Sequence, residues 1–388
     1  MKVKQTANML EVQEDLLKEF KTKDTFNNNT INGVLCRQSG KLYGTMVIFE
    51  VNDEEVVPQI IYGTPKLRYP FNREGKFHKL SVDRIIAYEK MDGTNVLKYS
   101  YRSPYKDFVS FKTRLGPVIS DSGYDVFYSM WKEIMETNTW IKDVIEANPL
   151  HNLSFELYGS RNSILIEYDT TLDTMLLFGV RESDGGIVPP MELTTDARTK
   201  VPAAHYVDYH KDIIDEYNYL RAHFLGINRG KGKLVVEGAV WYIQHNSVWT
   251  MYKLKPEDIE NIHWAANGKI PRRSLITTAF NLCESDEPTI GNFIALLKEE
   301  YTHQMMHSSM PSIRKIYKEV TKKVKTRNKI NKIWLLARKE GLDITEDKTA
   351  TLRFIGKHFS KREMKVVGSV ILQQAGLLKK ETDSGLTV

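Results

Sequence analysis

The run AYEKMDGTNV, residues 87–96, places Lys90 directly ahead of Met91, Asp92, Gly93, Thr94 and Asn95, and the chain is read outward from it. Upstream, the apolar, alternating run Arg84 to Glu89 predicts a strand. Asp92-Gly93 is a turn signal, and Asn95 to Tyr101 predicts a second strand, so the two read as a hairpin. Lys90 then stands where a strand ends in a tight turn. A lysine so placed can act as a nucleophile if nearby positive charge or desolvation keeps its amine partly neutral. It can equally be a solvated surface residue, and a lone KxDG match does not decide between the two.

A chain of 388 residues is long enough for two or three domains with real cores. Hydrophobic content of 41% and charged content of 27%, with a mean hydropathy of -0.40, describe a soluble globular protein rather than a disordered one. No apolar run approaches membrane-spanning length, and MKVKQTANMLEVQEDLL lacks the apolar core of a signal peptide. A cytoplasmic location, in the host if the source is viral, and no membrane partner are the expectations. Two cysteines far apart in sequence, Cys36 and Cys283, argue against a disulfide framework or a cysteine zinc site. The net charge of +6 suits a polyanionic partner without requiring one.

From the N-terminus, Met9 to Phe20 has helical spacing, with Leu10, Leu16, Leu17 and Phe20 on one face. Lys41 to Tyr62 reads as a β-hairpin in which Pro58 implies an edge or a bulge. The basic, aromatic connector after it either is solvated or brings Lys66 or Arg68 to a phosphate. After the Lys90 hairpin come a strand ending in Lys112, Thr113 and Arg114, a helix over 124–148 stopped by Pro149, and strands at 153–159 and 174–180. A helical stretch from His210 to Phe224 leads through the loop GINRGKGK into a strand over 235–243. That loop does not spell a phosphate-binding GxxxxGK[ST].

Glu156 and Glu237 each interrupt an otherwise apolar strand. An ionised carboxylate there needs a cation, a metal or several donors, unless it simply points to solvent. The runs VVEGAVWYI and VWTMYKLK read as a hairpin with its tip near Asn246, which sets Glu237 opposite a position near 255. Lys253 and Lys255 share a strand face, so at least one of them can line a site with Glu237. The alternative is a surface cross-strand ion pair of under about 1 kcal/mol.

Taken together and in order, KMDGTN at Lys90, SFELYG at Glu156, LLFGV at Phe178, VEGAV at Glu237 and KLK at Lys253 to Lys255 resemble the lysine nucleotidyltransferase superfamily of nucleic-acid ligases and mRNA-capping enzymes. Within it the chain looks most like phage-type ATP-dependent RNA ligases, over roughly residues 84 to 256. The resemblance implies an α+β fold: a nucleotidyltransferase (ATP-grasp-like ligase) domain of antiparallel sheets flanked by helices, residues 1–260 with a β-rich extension over about 1–80, then an all-α domain over 261–388. It implies that Lys90 attacks the α-phosphate of ATP, that Glu89 approaches the adenine and that Phe178 stacks on it. Read alone, Phe178 is a core aromatic at a strand end. Asn95 and Arg114 are assigned to phosphates or the RNA 5′-phosphate, Glu156 to the ribose, Glu237 to the divalent metal, and Lys253 with Lys255 to the phosphates in the transition state. Asp92 serves either the turn or the metal. The implied partners are ATP, Mg²⁺ or Mn²⁺, and RNA with 5′-phosphate and 3′-hydroxyl ends, acted on by a monomer in RNA repair.

The chemistry is coherent in its own terms. A lysine with an ordinary pKa near 10.4 is almost wholly protonated at neutral pH. Nearby ammonium groups and a bound cation are expected to disfavour that proton, and the same charges stabilise the pentacoordinate phosphorus and leaving pyrophosphate. Carboxylate ligands suit a hard Mg²⁺ or Mn²⁺ rather than zinc.

Beyond Pro256 the sequence reads as helices, among them a run carrying Arg314, Lys315, Lys318, Lys322, Lys323, Lys325, Arg327, Lys329 and Lys332. That run is either a solvated face or a surface for RNA backbone. A capping-type guanylyltransferase or a DNA ligase would use the same lysine, but the resemblance would then lead one to expect a β-rich C-terminal domain. A non-catalytic RNA-binding protein on this scaffold would be expected to have lost Lys90, Glu237 or Lys253, and all three are present.

Overall fold

The structure is a computed structural model. It describes the chain apart from residues 72–75, 79–80, 121–126, 163–164, 209, 257–258, 260–269, 271, 284–288, 299–300, 302, 343, 345, 361–362, 365–366, 368–370 and 372–388. The 257–388 helical expectation therefore falls partly outside the described residues, as do the segment EMKVVGSVILQQAGLL for the most part and the start of the 124–148 helix.

The described strands form three antiparallel sheets. The first is built from β1 (Leu17–Lys23), β2 (Thr30–Cys36), β3 (Met46–Val51) and β4 (Glu54–Ile61), in that order. Helix α1 (Lys2–Leu10) covers one of its faces through Leu10, Val34, Cys36, Val47 and Phe49. Helical spacing over Met9 to Phe20 misled: the helix ends at Leu10, with Glu11 left-handed at φ 55°, and Leu17–Lys23 pairs with β2 from Leu17↔Cys36 onward. Ladder bonding to a neighbour overrode a weak local period. Pro58 lies on β4, an edge strand as expected, where the β3–β4 register shifts between Ile48 and Glu50.

The five-stranded sheet runs β10 (Ile187–Val188), β9 (Asp173–Arg181), β8 (His151–Tyr158), β6 (Thr94–Arg102), β7 (Asp107–Lys112). Along β8, Leu153, Phe155 and Leu157 face one way and pack with Trp131, Ile134, Trp140 and Ile141 of α2 (Phe127–Thr137) and α3 (Trp140–Ala147). The expected single helix is thus two, divided at Asn138-Thr139. The opposite face of the sheet carries Asn95, Tyr99 and Tyr101 of β6 with Ser154 and Glu156 of β8, since Asn95 pairs with Glu156 in register. Tyr99 and Tyr101 are covered by Ile31, Leu35, Met46 and Ile48 of the N-terminal sheet.

The third sheet is β11 (Ala204–His205), β5 (Arg84–Glu89), β12 (Ala239–His245) and β13 (Val248–Leu254). Helix α4 (Ile213–Lys231) packs Tyr217, Leu220 and Phe224 against Ala87, Trp241 and Ile243 on one face. Tyr88, Tyr242 and Met251 meet Phe178 and Val180 of the five-stranded sheet from the other. The expected loop GINRGKGK belongs for the most part to α4. Asp212 caps the helix by accepting from the N–H groups of Ile214 and Asp215, and left-handed Gly232 ends it.

The reading of residues 84–101 as a hairpin does not hold. β5 pairs with β11 and β12, whereas β6 pairs with β7 and β8. Residues 90–93 carry the chain from one sheet to the other, so Lys90 sits at a crossover between two rigid sheets.

Beyond these sheets, the described C-terminal elements are α5 (Arg272–Cys283), α6 (Ile290–Lys298), α7 (His303–Lys339) and α8 (Lys348–Gly356). The chain divides into two compact units, Met1–Ile313 and Arg314–Val388. The second has its own core of Ile330, Ile333, Ala337, Ile344, Ile355 and Phe359. No described helix is long and apolar enough to cross a membrane.

Candidate active site

Lys90 is held from both sides of the crossover. Its N–H donates to the carbonyl of Gly238 at 2.8 Å, which extends the β5–β12 pairing one step past Glu89↔Ala239. Glu237 and Gly238 lie just ahead of β12, which begins at Ala239 rather than at 235. Gly238 has φ 140°, and a Cβ there would stand 2.0 Å from the Leu254 carbonyl. That close approach sets Glu237 beside the end of β13. The expected hairpin is present, with Asn246 and Ser247 at positive φ in its tip and His245 paired with Val248.

The Glu237 carboxylate is nearly fully buried and bridges two ammonium groups. Oε2 accepts from Lys90 Nζ at 2.5 Å, and Oε1 lies 2.7 Å from Lys255 Nζ. Burial alone would raise its pKa, but Lys255 and Lys90 outweigh burial and hold it at about 2. Burial works against the Lys90 ammonium, yet Glu237 and then Glu156 more than offset it, so Lys90 titrates above its ordinary value. The expected depression by neighbouring ammonium groups is reversed in the free protein. Glu237, Glu156 and Asp92 all favour the ammonium, and Lys90 rests as a protonated amine.

Glu156 is buried, and among the described residues its carboxylate has no hydrogen bond or ion pair of ordinary length. Burial lifts its pKa to about 7 against the pull of Lys90 and Arg114. Arg114 follows β7, and its Nε is buried without a hydrogen-bond partner. The open Arg114 donor, near enough to Glu156 to act on its charge, marks a place where an anionic group of a ligand would complete the bonding.

Asn95 ties β6 to β8: its amide nitrogen donates to Ser154 Oγ at 2.8 Å and to the Phe155 carbonyl at 3.1 Å, and its Oδ1 accepts from Thr64 Oγ1 at 2.7 Å. With both amide hydrogens so used, a phosphate could gain a bond from this group only by displacing one of them. One oxygen of Asp92 accepts from the N–H groups of Leu165 and Ile166, and the Asp92 N–H donates to Tyr168 Oη. Burial and then Glu237 raise the Asp92 pKa.

The remaining expected residues are dispersed around this centre. Lys253 Nζ lies 4.6 Å from the ring centroid of Tyr69. Phe178 is buried in the apolar layer with Tyr88 and Tyr242 between the sheets. Glu89 is half-buried and burial raises its pKa. Sequence reasoning missed Thr64, Ser154 and Tyr168, small or aromatic polar residues in unexceptional contexts.

The donor set suits a hard divalent cation. Among the described residues no three His, Cys, Asp or Glu side chains form a metal cage. Magnesium commonly takes only one or two carboxylates, with water and phosphate oxygens completing its shell. Glu237 offers such an oxygen wherever Lys90 releases it.

No protein-family model and no curated protein matches the chain. Solved structures similar to it include an archaeal ATP-dependent RNA ligase in form 1, with 14% identity and a TM-score of 0.43 over 81% of each chain. Form 2 gives 12% identity and a TM-score of 0.44, over 86% of this chain and 83% of that one. The Naegleria gruberi RNA ligase with PPi gives 10% and 0.33, over 64% of this chain and 98% of that one. At these identities and scores the likeness carries no weight for activity, which is read from the side chains.

Proposed function

We propose that the protein is an ATP-dependent RNA ligase that joins 5′-phosphate and 3′-hydroxyl ends through a covalent AMP on Lys90. The observation that carries this reading is the convergence of half-buried Lys90 with buried Glu237 and Lys255 in one ion-pair chain, with the Glu156 carboxylate close enough to feel the charges of Lys90 and Arg114 and with the Arg114 Nε open.

In the first step Lys90 Nζ, once deprotonated, attacks the α-phosphorus of ATP. A P–N bond forms, the bond to the bridging oxygen breaks, and pyrophosphate leaves with the electron pair. Lys255, Lys253 and Arg114 supply positive charge to the phosphates as negative charge builds. Glu156 would accept from ribose hydroxyls, and Phe178, packed between the sheets, backs the site from within the apolar layer. Glu237, with Asp92 nearby, would hold a divalent cation, which when bound neutralises phosphate oxygens and disfavours the Lys90 ammonium. An RNA 5′-phosphate then attacks the lysyl-AMP phosphorus, giving an adenylylated end and releasing the lysine. Finally a 3′-hydroxyl attacks that 5′-phosphate, forms the phosphodiester and expels AMP.

Incubation with α-labelled ATP or α-labelled GTP and magnesium, followed by single-stranded RNA, nicked RNA duplex and nicked DNA, tests the reading. Label from ATP and joining of RNA are expected. Preference for GTP would contradict it, and joining of nicked DNA alone would move the substrate to DNA.

A further inference from the structure

The N-terminal sheet ends inside the candidate site. Between β2 and β3 the chain passes through Gly44, and just after β4 it passes through Gly63 and Thr64. These two segments touch, since the Gly63 N–H donates to Thr45 Oγ1 at 3.1 Å and a Cβ on Gly63 would stand 2.4 Å from the Gly44 carbonyl carbon. From this knot two contacts reach the residues around Lys90.

The first contact is the Thr64 hydroxyl, buried at 3% exposure, donating to Asn95 Oδ1. The Phe155 carbonyl can only accept, so it fixes which end of the Asn95 amide is nitrogen, and Thr64 must therefore meet the oxygen. The second contact is through fully buried Lys112. Its Nζ donates to the carbonyls of Gly44, Thr113 and Arg114 at 3.0, 2.9 and 3.1 Å. Gly44 approaches Arg114 so closely that a Cβ would stand 2.0 Å from the Arg114 carbonyl oxygen, and Gly44 itself has φ +78°. One small region of the N-terminal sheet thereby holds both Asn95, in register with Glu156, and the backbone of Arg114.

We propose that Thr64 is a positioning residue for adenylyl transfer: its hydroxyl locks the Asn95 amide, and through it the β6–β8 pair that carries Glu156, in the geometry the reaction requires. The proposal rests on the ligase reading for the reaction it serves. It also gives the N-terminal sheet a part in catalysis. Asn95 acts through its oxygen and its strand rather than as a phosphate donor, because Ser154 and Phe155 already take both its amide hydrogens.

The test is a double-mutant cycle on single-turnover lysyl-AMP formation with labelled ATP, using Thr64→Val, Thr64→Ser, Asn95→Ala and the Thr64→Val/Asn95→Ala pair, with thermal melts of each. Thr64→Val keeps the side-chain shape and removes the donor. It is expected to slow adenylylation about tenfold, the size of one lost positioned hydrogen bond. Thr64→Ser is expected to restore the rate to within about twofold because the hydroxyl returns. In the Asn95→Ala background Thr64→Val is expected to have no further effect, since its target is gone. A Thr64→Val loss that persists undiminished in the Asn95→Ala background, or that Thr64→Ser fails to rescue while melting like wild type, overturns the positioning role and leaves the ligase reading standing. A wild type that takes no label from ATP overturns the ligase reading, and with it the reaction Thr64 is said to serve.

Discussion

Lys90 Nζ and Glu237 Oε2 lie 2.5 Å apart in a partly buried ion pair, although 147 positions separate them in the sequence. The residue expected to attack phosphorus is thus stored as an ammonium, held by a carboxylate that also binds Lys255. Glu237 is consequently both a support for the resting site and the group that must let go of Lys90 before bond formation.

The pH dependence of adenylylation follows. The reactive amine is neutral, and Glu237 with Glu156 raises the Lys90 pKa. Below that value the neutral fraction, and hence the rate, grows about tenfold per pH unit. Glu237→Gln removes the nearest negative charge, so the rising limb moves to lower pH. Loss of the carboxylate from the phosphate and metal region lowers the maximum rate by roughly a hundredfold. Single-turnover labelling from pH 6 upward until the rate levels off checks both effects, and an unmoved limb would contradict the role given to the pair.

Gly238 is required by two features at once. Its φ of 140° is foreign to L side chains, and an added Cβ would collide with the Leu254 carbonyl. Gly238→Ala is therefore expected to cost about 1–3 kcal/mol in backbone strain and to displace Glu237 from Lys90. Chemical denaturation together with ATP labelling measures this. Wild-type stability and labelling in that variant would show the turn to be dispensable.

Asp92 separates a structural duty from a metal duty. Asp92→Ala leaves the N–H groups of Leu165 and Ile166 without their acceptor, at about 1–3 kcal/mol. Asp92→Asn keeps an oxygen for those donors and removes charge that burial and Glu237 already disfavour, so its stability is expected to stay within about 1 kcal/mol of wild type. Lost labelling in stable Asp92→Asn would assign the carboxylate to the cation. Retained labelling would assign it to the turn.

Much of this arrangement could be read from residue order because it depends on side-chain alternation. Glu237 and Lys255 were expected across a hairpin whose tip is indeed at Asn246, and strands placed at 153–159 and 174–180 match β8 and β9 to within a few residues. Long-range choices of partner were not legible. Nothing local says that β5 pairs with β12 rather than β6, so the Lys90 crossover looked like a hairpin. Leu17 and Phe20 fit the helical spacing read over Met9 to Phe20, yet pairing with β2 decides the state of Leu17–Lys23. The sign of the Lys90 shift is not legible for a related reason: spacing places Glu237 opposite Lys255 but does not show that its second oxygen reaches Lys90. Thr64 gave no signal at all, since a threonine after a glycine becomes informative only once Asn95 is seen above it.

The most direct measurement is peptide mapping by mass spectrometry of the protein after incubation with ATP and magnesium. AMP attached to the peptide bearing Lys90, through an acid-labile bond and absent from Lys90→Ala, is the expected result. AMP on a different lysine, or an adduct that persists in Lys90→Ala, would contradict the assignment of Lys90 as the nucleophile.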